Sequence, residues 1–409
     1  METVGLIFSF AVIMKLSAMR FNLALTLVIG SIIIAVSAGM RANMILAVAY
    51  SNVFNPATLS LAGAVMSLHL LGFLMKRSGL LENMVTDLRN IINDQRILTA
   101  LLPMVIGMLV VPGGAIMSAP MVEKSGEKAG IDRASMAAVN ILFRHLWYFI
   151  YPIYPLFIMV SDLSGIIPSR LIGYLALPTL VGLSLSAWVC FRGTRKPAAA
   201  KKRITPNLLA AVIKDISPIL IIFIFRYAVG LPFLASIFIG LLLAGYYLHI
   251  QVNYNNPFHF VREIVSHINW KLGLIVVAVM LLRGYVIESG SVNILVEAMS
   301  TAGLPLLILA VVVPFAIGLL TASNYTSVGI AFAVFGPIIS NMDASAAYYS
   351  LIFITAVTGY FLSPIHLCFV LTREYFGVSI KDLLFKKMAF PILSMVVVSI
   401  ATVFVVSAW

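Results

Sequence analysis

The chain has 409 residues, of which 61% are hydrophobic and 10% charged, and its mean hydropathy is +1.06. A water-soluble core of this length cannot take up so much apolar surface, so the composition excludes a soluble domain and specifies an all-α polytopic membrane protein in contact with the lipid bilayer. The formal net charge of +12 does not point to nucleic acid, because the lysines and arginines sit between apolar runs, where they report orientation.

In chain order, apolar runs long enough to cross a bilayer, or nearly so, lie at 3–18, 21–38, 57–76, 134–160 and 168–191, with a hairpin at 98–128 between the third and fourth. The first run lacks a basic n-region and a small-residue cleavage site, so it reads as a retained span. After a basic linker at 192–206 the order repeats: 207–226, 231–249, 269–288, 343–371 and 388–408, with a hairpin at 304–340. The expected organisation is a first repeat at 1–191, a cytoplasmic linker, and a second repeat at 207–409. Residues 80–93 and 291–301 are amphipathic and precede the two hairpins, as helices lying along the membrane interface would. Two readings of them stand: simple anchors, or arms joining a fixed domain to a moving one.

The two halves share punctuation. Pro103, Ile106, Gly107 and Leu109 fall on Pro314, Ile317, Gly318 and Leu320 at one constant offset, and Ser78-Gly79 falls on Ser289-Gly290. Downstream the register slips by one residue, and YFIYPIYPLF from Tyr148 overlays YFLSPIHLCF from Tyr360. Shared Pro and Gly at one offset indicate homologous halves. Five crossings per half is an odd number, so the halves are expected in opposite orientations, an inverted-topology repeat. A cytoplasmic linker gathers most of the 27 basic residues on one side and leaves both termini outside the cell membrane.

In the second hairpin an apolar run is broken by Ser323-Asn324-Tyr325-Thr326, and Pro112-Gly113-Gly114-Ala115 stands at the equivalent place in the first. Such tips leave backbone groups free at membrane depth, which a bilayer tolerates only where protein or a watery cavity satisfies them. Pro152, Pro155 and Pro364 interrupt the spans after the hairpins, and each such proline removes an N–H and frees a carbonyl. Ser363 and His366 flank the second interruption. Half-helix N-termini suit a carboxylate and exposed carbonyls suit Na⁺. The alternative is a pair of tight turns. Ionisable residues inside spans are expensive and are functional candidates by default. Arg144 can pair bidentately with an anion or satisfy a neighbouring helix. His366 can carry protons or serve as a structural donor. Asp215 is an acid well inside a span, expected to pair with a neighbouring helix, and His69 and Arg283 read as structural. Cys190 and Cys368 supply neither a disulfide framework nor a Cys-rich metal site.

The succession of spans, interfacial helix, re-entrant hairpin and broken helix resembles the ion transporter superfamily, which contains divalent-anion:sodium symporters, with citrate and gluconate permeases as relatives. In the symporters each tip carries a Ser-Asn-Thr signature. Ser323-Asn324-Tyr325-Thr326 is similar to it with Tyr325 inserted, whereas Pro112-Gly113-Gly114-Ala115 departs from it. The resemblance implies a homodimer with an elevator motion. It implies substrate contacts at Ser323, Asn324 and Thr326, with Ser323 and Asn324 toward Na⁺; the repeat and the polar residues inside the spans add Pro112, Gly113, Gly114, Ala115, Arg144, Ser363 and His366 as candidate substrate contacts, with Gly113 toward Na⁺. The expected function is secondary active transport of a small organic anion coupled to Na⁺ or H⁺, with no cofactor beyond the coupling ion. A Na⁺/H⁺ antiporter and a non-transporting scaffold are the alternatives. An enzyme is not expected, since the spans hold no HExxH or GxSxG arrangement and the chain no phosphate-binding loop.

Overall fold

Helix starts are written into the sequence by capping side chains, several of them followed by proline. Asn55, Thr205 and Asn256 each accept a backbone N–H from two or three residues on, with Pro56, Pro206 and Pro257 in the first helical position, where a missing N–H is harmless. Asn22 and Asp132 cap their helices without a proline. A computed structural model describes residues 2–19, 21–108, 114–194, 205–254, 256–290 and 305–408, and the regular secondary structure among them is helical.

The first half contains α1 (Glu2–Ala18), α2 (Leu23–Ser37), α3 (Ala42–Val53), α4 (Pro56–Arg77), α5 (Leu80–Ile91), α6 (Gln95–Met108) and α7 (Gly114–Lys128). It continues with α8 (Arg133–His145), a 3₁₀ turn at Leu146–Phe149, α9 (Pro155–Ser164) and α10 (Pro168–Phe191). The second contains α11 (Pro206–Phe223, prolonged by a π-helical turn, Ile224–Ala228), α12 (Phe233–Val252), α13 (Pro257–Ser266), α14 (Trp270–Glu288), α15 (Leu306–Thr321) and α16 (Asn324–Ile339). It ends with α17 (Ser345–Leu362), α18 (Leu367–Phe376) and α19 (Ala389–Ser407), entered through a π-helical stretch at Lys381–Met388.

Seven of the described helical stretches are long and apolar enough to cross a membrane: α4, α10, α11 with its π turn, α12, α14, the stretch from α17 through α18, and α19 with its entry. The sequence reading expects ten crossings, and the difference has three sources. With 17 and 15 residues, α1 and α2 give about 26 and 23 Å at 1.5 Å per residue, short of a hydrocarbon core of about 30 Å. The run at 134–160 is divided into α8 and α9, of 13 and 10 residues. Two short helices, α3 and α13, stand before α4 and α14 and were not expected, because runs of 12 and 10 residues are too short to register as spans. Helix α5 matches the amphipathic segment at 80–93; its counterpart at 291–301 and most of the basic linker lie outside the described residues.

The burial pattern is graded across the fold. Every residue of α8 from Ser135 to His145, of α16 from Thr326 to Gly336 and of α17 from Ala346 to Leu362 is buried. By contrast α12 presents Phe238, Leu242 and Tyr246 outward, and α10 presents Leu177, Leu180 and Trp188. Apolar side chains facing outward along whole helices belong in lipid, while the broken helices and the second arm of the α15–α16 hairpin form the protein-buried centre.

Candidate functional site

The second hairpin turns at Ala322 and Ser323. Ala322 adopts a left-handed conformation, φ +48°, which costs a residue bearing a Cβ on the order of 1 kcal/mol, and donates its N–H to Gly318 O at 3.1 Å. Ser323 then caps α16: its Oγ accepts from Thr326 N at 3.3 Å and from Thr326 Oγ1 at 2.7 Å. Asn324 Oδ1 accepts from Tyr325 N at 2.9 Å, and among the described residues the amide N–H groups of Asn324 find no acceptor. Two residues that the motif singled out thus hold the turn, and the third offers free donors.

Each hairpin packs on a broken helix through a glycine. A Cβ on Gly107 would run into the carbonyl oxygen of Arg144, and one on Gly318 into the carbonyl oxygen of Ala356. These contacts stand at matching places in the two halves, and close backbone approach of this kind is what small residues permit between membrane helices. Gly114 and Ala115 open α7. The carbonyl of Ala115 accepts from Asn140 Nδ2 at 3.0 Å, and the same nitrogen donates to Thr372 Oγ1 at 3.0 Å. Ser118 Oγ completes the set by donating to Asn140 Oδ1 at 2.5 Å. Asn140 therefore joins the first hairpin to α18. Pro112 and Gly113 lie outside the described residues.

The two interrupted helices unwind side by side, at Ile150–Tyr154 and at Ser363–His366, and both second segments end on a left-handed glycine, Gly165 and Gly377. Arg144 occupies the last turn of α8 just before the first interruption and is only 8% exposed. Its Nε and Nη1 have no hydrogen-bond partner, and among the described residues no carboxylate pairs with it. Tyr148, Tyr154, Tyr360 and Cys368 lie within its electrostatic reach. His145 is turned by a 2.7 Å bond from Nδ1 to Ile141 O; a carbonyl partner requires that Nδ1 carry the proton, which leaves Nε2 as a free acceptor.

His366 comes from the other side. Its ring lies 5.6 Å from that of His145 and 4.0 Å from that of Tyr360, and both of its nitrogens are buried without a partner. Ser363 is buried and donates its hydroxyl to Leu319 O at 2.7 Å, so its proton ties the second interruption to α15. The rings of Tyr148 and Tyr154 stack at 3.7 Å, and the hydroxyl of Tyr325, from the hairpin tip, is buried and unpartnered. The result is a buried aromatic cluster around the Arg144 guanidinium, with several unmet donors.

The remaining ionisable residues stand apart. Asp215 is buried on α11 with Oδ2 unpartnered, and among the described residues the inter-helix bond expected for it is not found. His69 meets Asn269 at 3.4 Å, while Arg283 and Asp162 line an outer cleft of about 430 Å³ with Asn52 and Asn55. Sequence reasoning missed Asn140 and did not assign Tyr148, Tyr154, Tyr325 and Tyr360 to the site. A neutral amide and aromatic rings inside apolar runs carry no pattern that separates them from packing residues.

A family model described as "Protein of unknown function (DUF401)" matches residues 2–406, so the chain belongs to that family. No curated relative matches the sequence.

Proposed function

We propose that this DUF401 protein is a secondary active transporter that binds a small organic anion at Arg144 and couples its movement to Na⁺ or H⁺. The observation that carries the reading is the buried guanidinium with two unpartnered nitrogens and no carboxylate beside it among the described residues. A buried unpaired charge is strongly destabilising, and a carboxylate ligand accepting from Nε and Nη1 would remove the penalty. Tyr325 at the second tip and His366 at the second interruption supply further donors within the same cluster, and Asn324 stands beside Tyr325 at the tip.

The architecture assigned to this activity is an inverted repeat. In each half a short helix precedes the third span, a helical hairpin follows, and the next helix breaks. The glycine contacts Gly107 on Arg144 and Gly318 on Ala356, and the terminal glycines Gly165 and Gly377, support equivalence of the halves. At 16 residues each, α15 and α16 reach about 24 Å and would enter the membrane without crossing it. The hairpins and broken helices would move together as the elevator of a homodimer, with Ser323, Asn324 and Gly113 offered to Na⁺, and both termini outside. The antiporter alternative needs a membrane-embedded acid; Asp215 is one, but it lies on α11, packed against α5 and α12 and outside the hairpins and broken helices.

Proteoliposome uptake tests the function. Radiolabelled mono-, di- and tricarboxylates are presented under an imposed Na⁺ or proton gradient, and the reading requires concentrative uptake of at least one that collapses with the gradient. Cysteines at Ala115 or Ala322 that change accessible face with ion and substrate would support the elevator; a single face under all transporting conditions would sink it.

A further inference from the structure

We propose that His145, His366 and Cys368 form a binding site for a soft monovalent transition-metal cation, Cu⁺, that bridges the two broken helices. One donor atom from each of these residues lies within 4.8 Å of the others. The site shares His366 with the anion site proposed above, but it stands on two imidazoles and a thiol, and its Cu⁺ test is read without any anion.

Three features make this more than a coincidence of residue types. His145 has a nitrogen to spare: its Nδ1 is committed to Ile141 O at 2.7 Å, which leaves Nε2 as the candidate ligand, the arrangement that supports metal-binding histidines. His366 is 2% exposed and neither of its nitrogens has a partner, which in a buried imidazole calls for a missing ligand. Cys368 is a free thiol in the first turn of α18, where the partial positive end of the helix complements a metal-bound thiolate. A three-coordinate ion with metal–ligand distances of about 2.0–2.3 Å needs donor atoms roughly 3.5–4 Å apart. Side-chain rotations of about an ångström close the present arrangement to that spacing.

Charge selects the ion. Arg144 lies within electrostatic reach of both histidines, and no acidic side chain among the described residues offsets it. Cu⁺ displaces the thiol proton of Cys368, which leaves to solvent, and forms a neutral complex with the thiolate, whereas a divalent ion would leave a second positive charge beside the guanidinium in buried, low-dielectric surroundings. Two imidazoles and one thiolate also match the softness of Cu⁺.

The test uses purified full-length protein in lipid nanodiscs, under anaerobic conditions with ascorbate, titrated with Cu⁺ against a chromophoric bicinchoninate chelator. The expected result is one chelator-resistant Cu⁺ per chain, with sulfur and nitrogen neighbours in the X-ray absorption spectrum. Cys368→Ser and His366→Ala should each weaken binding by at least the roughly 10- to 100-fold that follows loss of a supporting partner, while Cys190→Ser leaves it unchanged. Wild-type protein that yields all its Cu⁺ to the chelator would overturn the site. So would retention that survives Cys368→Ser, or retention of Zn²⁺ but not Cu⁺ by the same residues.

Discussion

Gly114 lies against the guanidinium of Arg144 so closely that a methyl group on the glycine would stand 3.2 Å from both Cζ and Nη2. The first hairpin thus touches the buried Arg144 through the glycine's lack of a side chain. Gly114→Val should push the guanidinium from its position at an overpacking cost of about 1–3 kcal/mol. If that cost falls on the liganded state, anion affinity drops about 5- to 150-fold with the protein still monodisperse. Gly107→Ala should behave differently, because there the added atom meets the backbone oxygen of Arg144 and cannot be relieved by a side-chain rotation. Size-exclusion profiles together with ligand binding separate the two outcomes.

Asn140 is the polar tie of the centre. Asn140→Ala leaves Thr372 Oγ1 buried without its partner, at about 1–3 kcal/mol, and removes the bonds to Ala115 O and to Ser118 Oγ, which falls back on Gly114 O at 2.8 Å. The expected result is a thermal midpoint several degrees lower, of the kind a few kcal/mol produces in a domain of moderate size. A midpoint equal to wild type would mean that other groups satisfy these atoms.

Asn324 offers donors at the second tip, and Asn341, beyond the far end of the same hairpin, is exposed. Loss of a buried partner costs about 1–3 kcal/mol, so Asn324→Ala should weaken apparent anion or Na⁺ affinity about 5- to 150-fold. Asn341→Ala should transport as wild type does. Equal transport by both would reduce the tip to a turn.

The parts of this fold that could be read from sequence are those marked by proline, glycine and charge. Pro364 and the prolines around Tyr154 mark the interruptions because they fall at equivalent places in the two halves, whereas Pro103, Pro178, Pro218 and Pro314 sit inside continuous helices, and Arg144 stands out because a charge at that depth is rare. The short helices α3 and α13 left no such mark. Nor did Asn140, whose partner comes from a distant part of the chain: it meets Thr372 only once α8 and α18 are side by side. Cys368 looked inert for the same reason, its nearness to His145 and His366 being a product of packing.

Outside the spans, Glu263 on α13 accepts from Tyr254 Oη and from Arg77 Nε, the latter at 3.0 Å. The tyrosine hydrogen bond first and the arginine after it hold this carboxyl below its ordinary value of 4.5. A group whose folded value is depressed stabilises the fold fully above its unfolded value and loses that contribution as the pH falls through the folded one. The tie between α13 and the end of α4 should therefore weaken below about pH 4.5. Between pH 7 and pH 3 the thermal midpoint of wild type should fall more steeply than that of Glu263→Gln, and parallel curves would remove Glu263 from the account.

Binding of small carboxylates to Arg144 is tested most directly by scintillation-proximity or thermal-shift measurements on purified protein across a carboxylate panel, with and without Na⁺, in wild type and Arg144→Lys. Lysine keeps the charge but lacks the two-pronged geometry of the guanidinium. At least one small carboxylate should stabilise wild type, and Arg144→Lys, folded to the same extent, should respond weakly or not at all. A wild type that no anion stabilises under any ion condition, or a lysine variant that binds as tightly as wild type, would contradict the account.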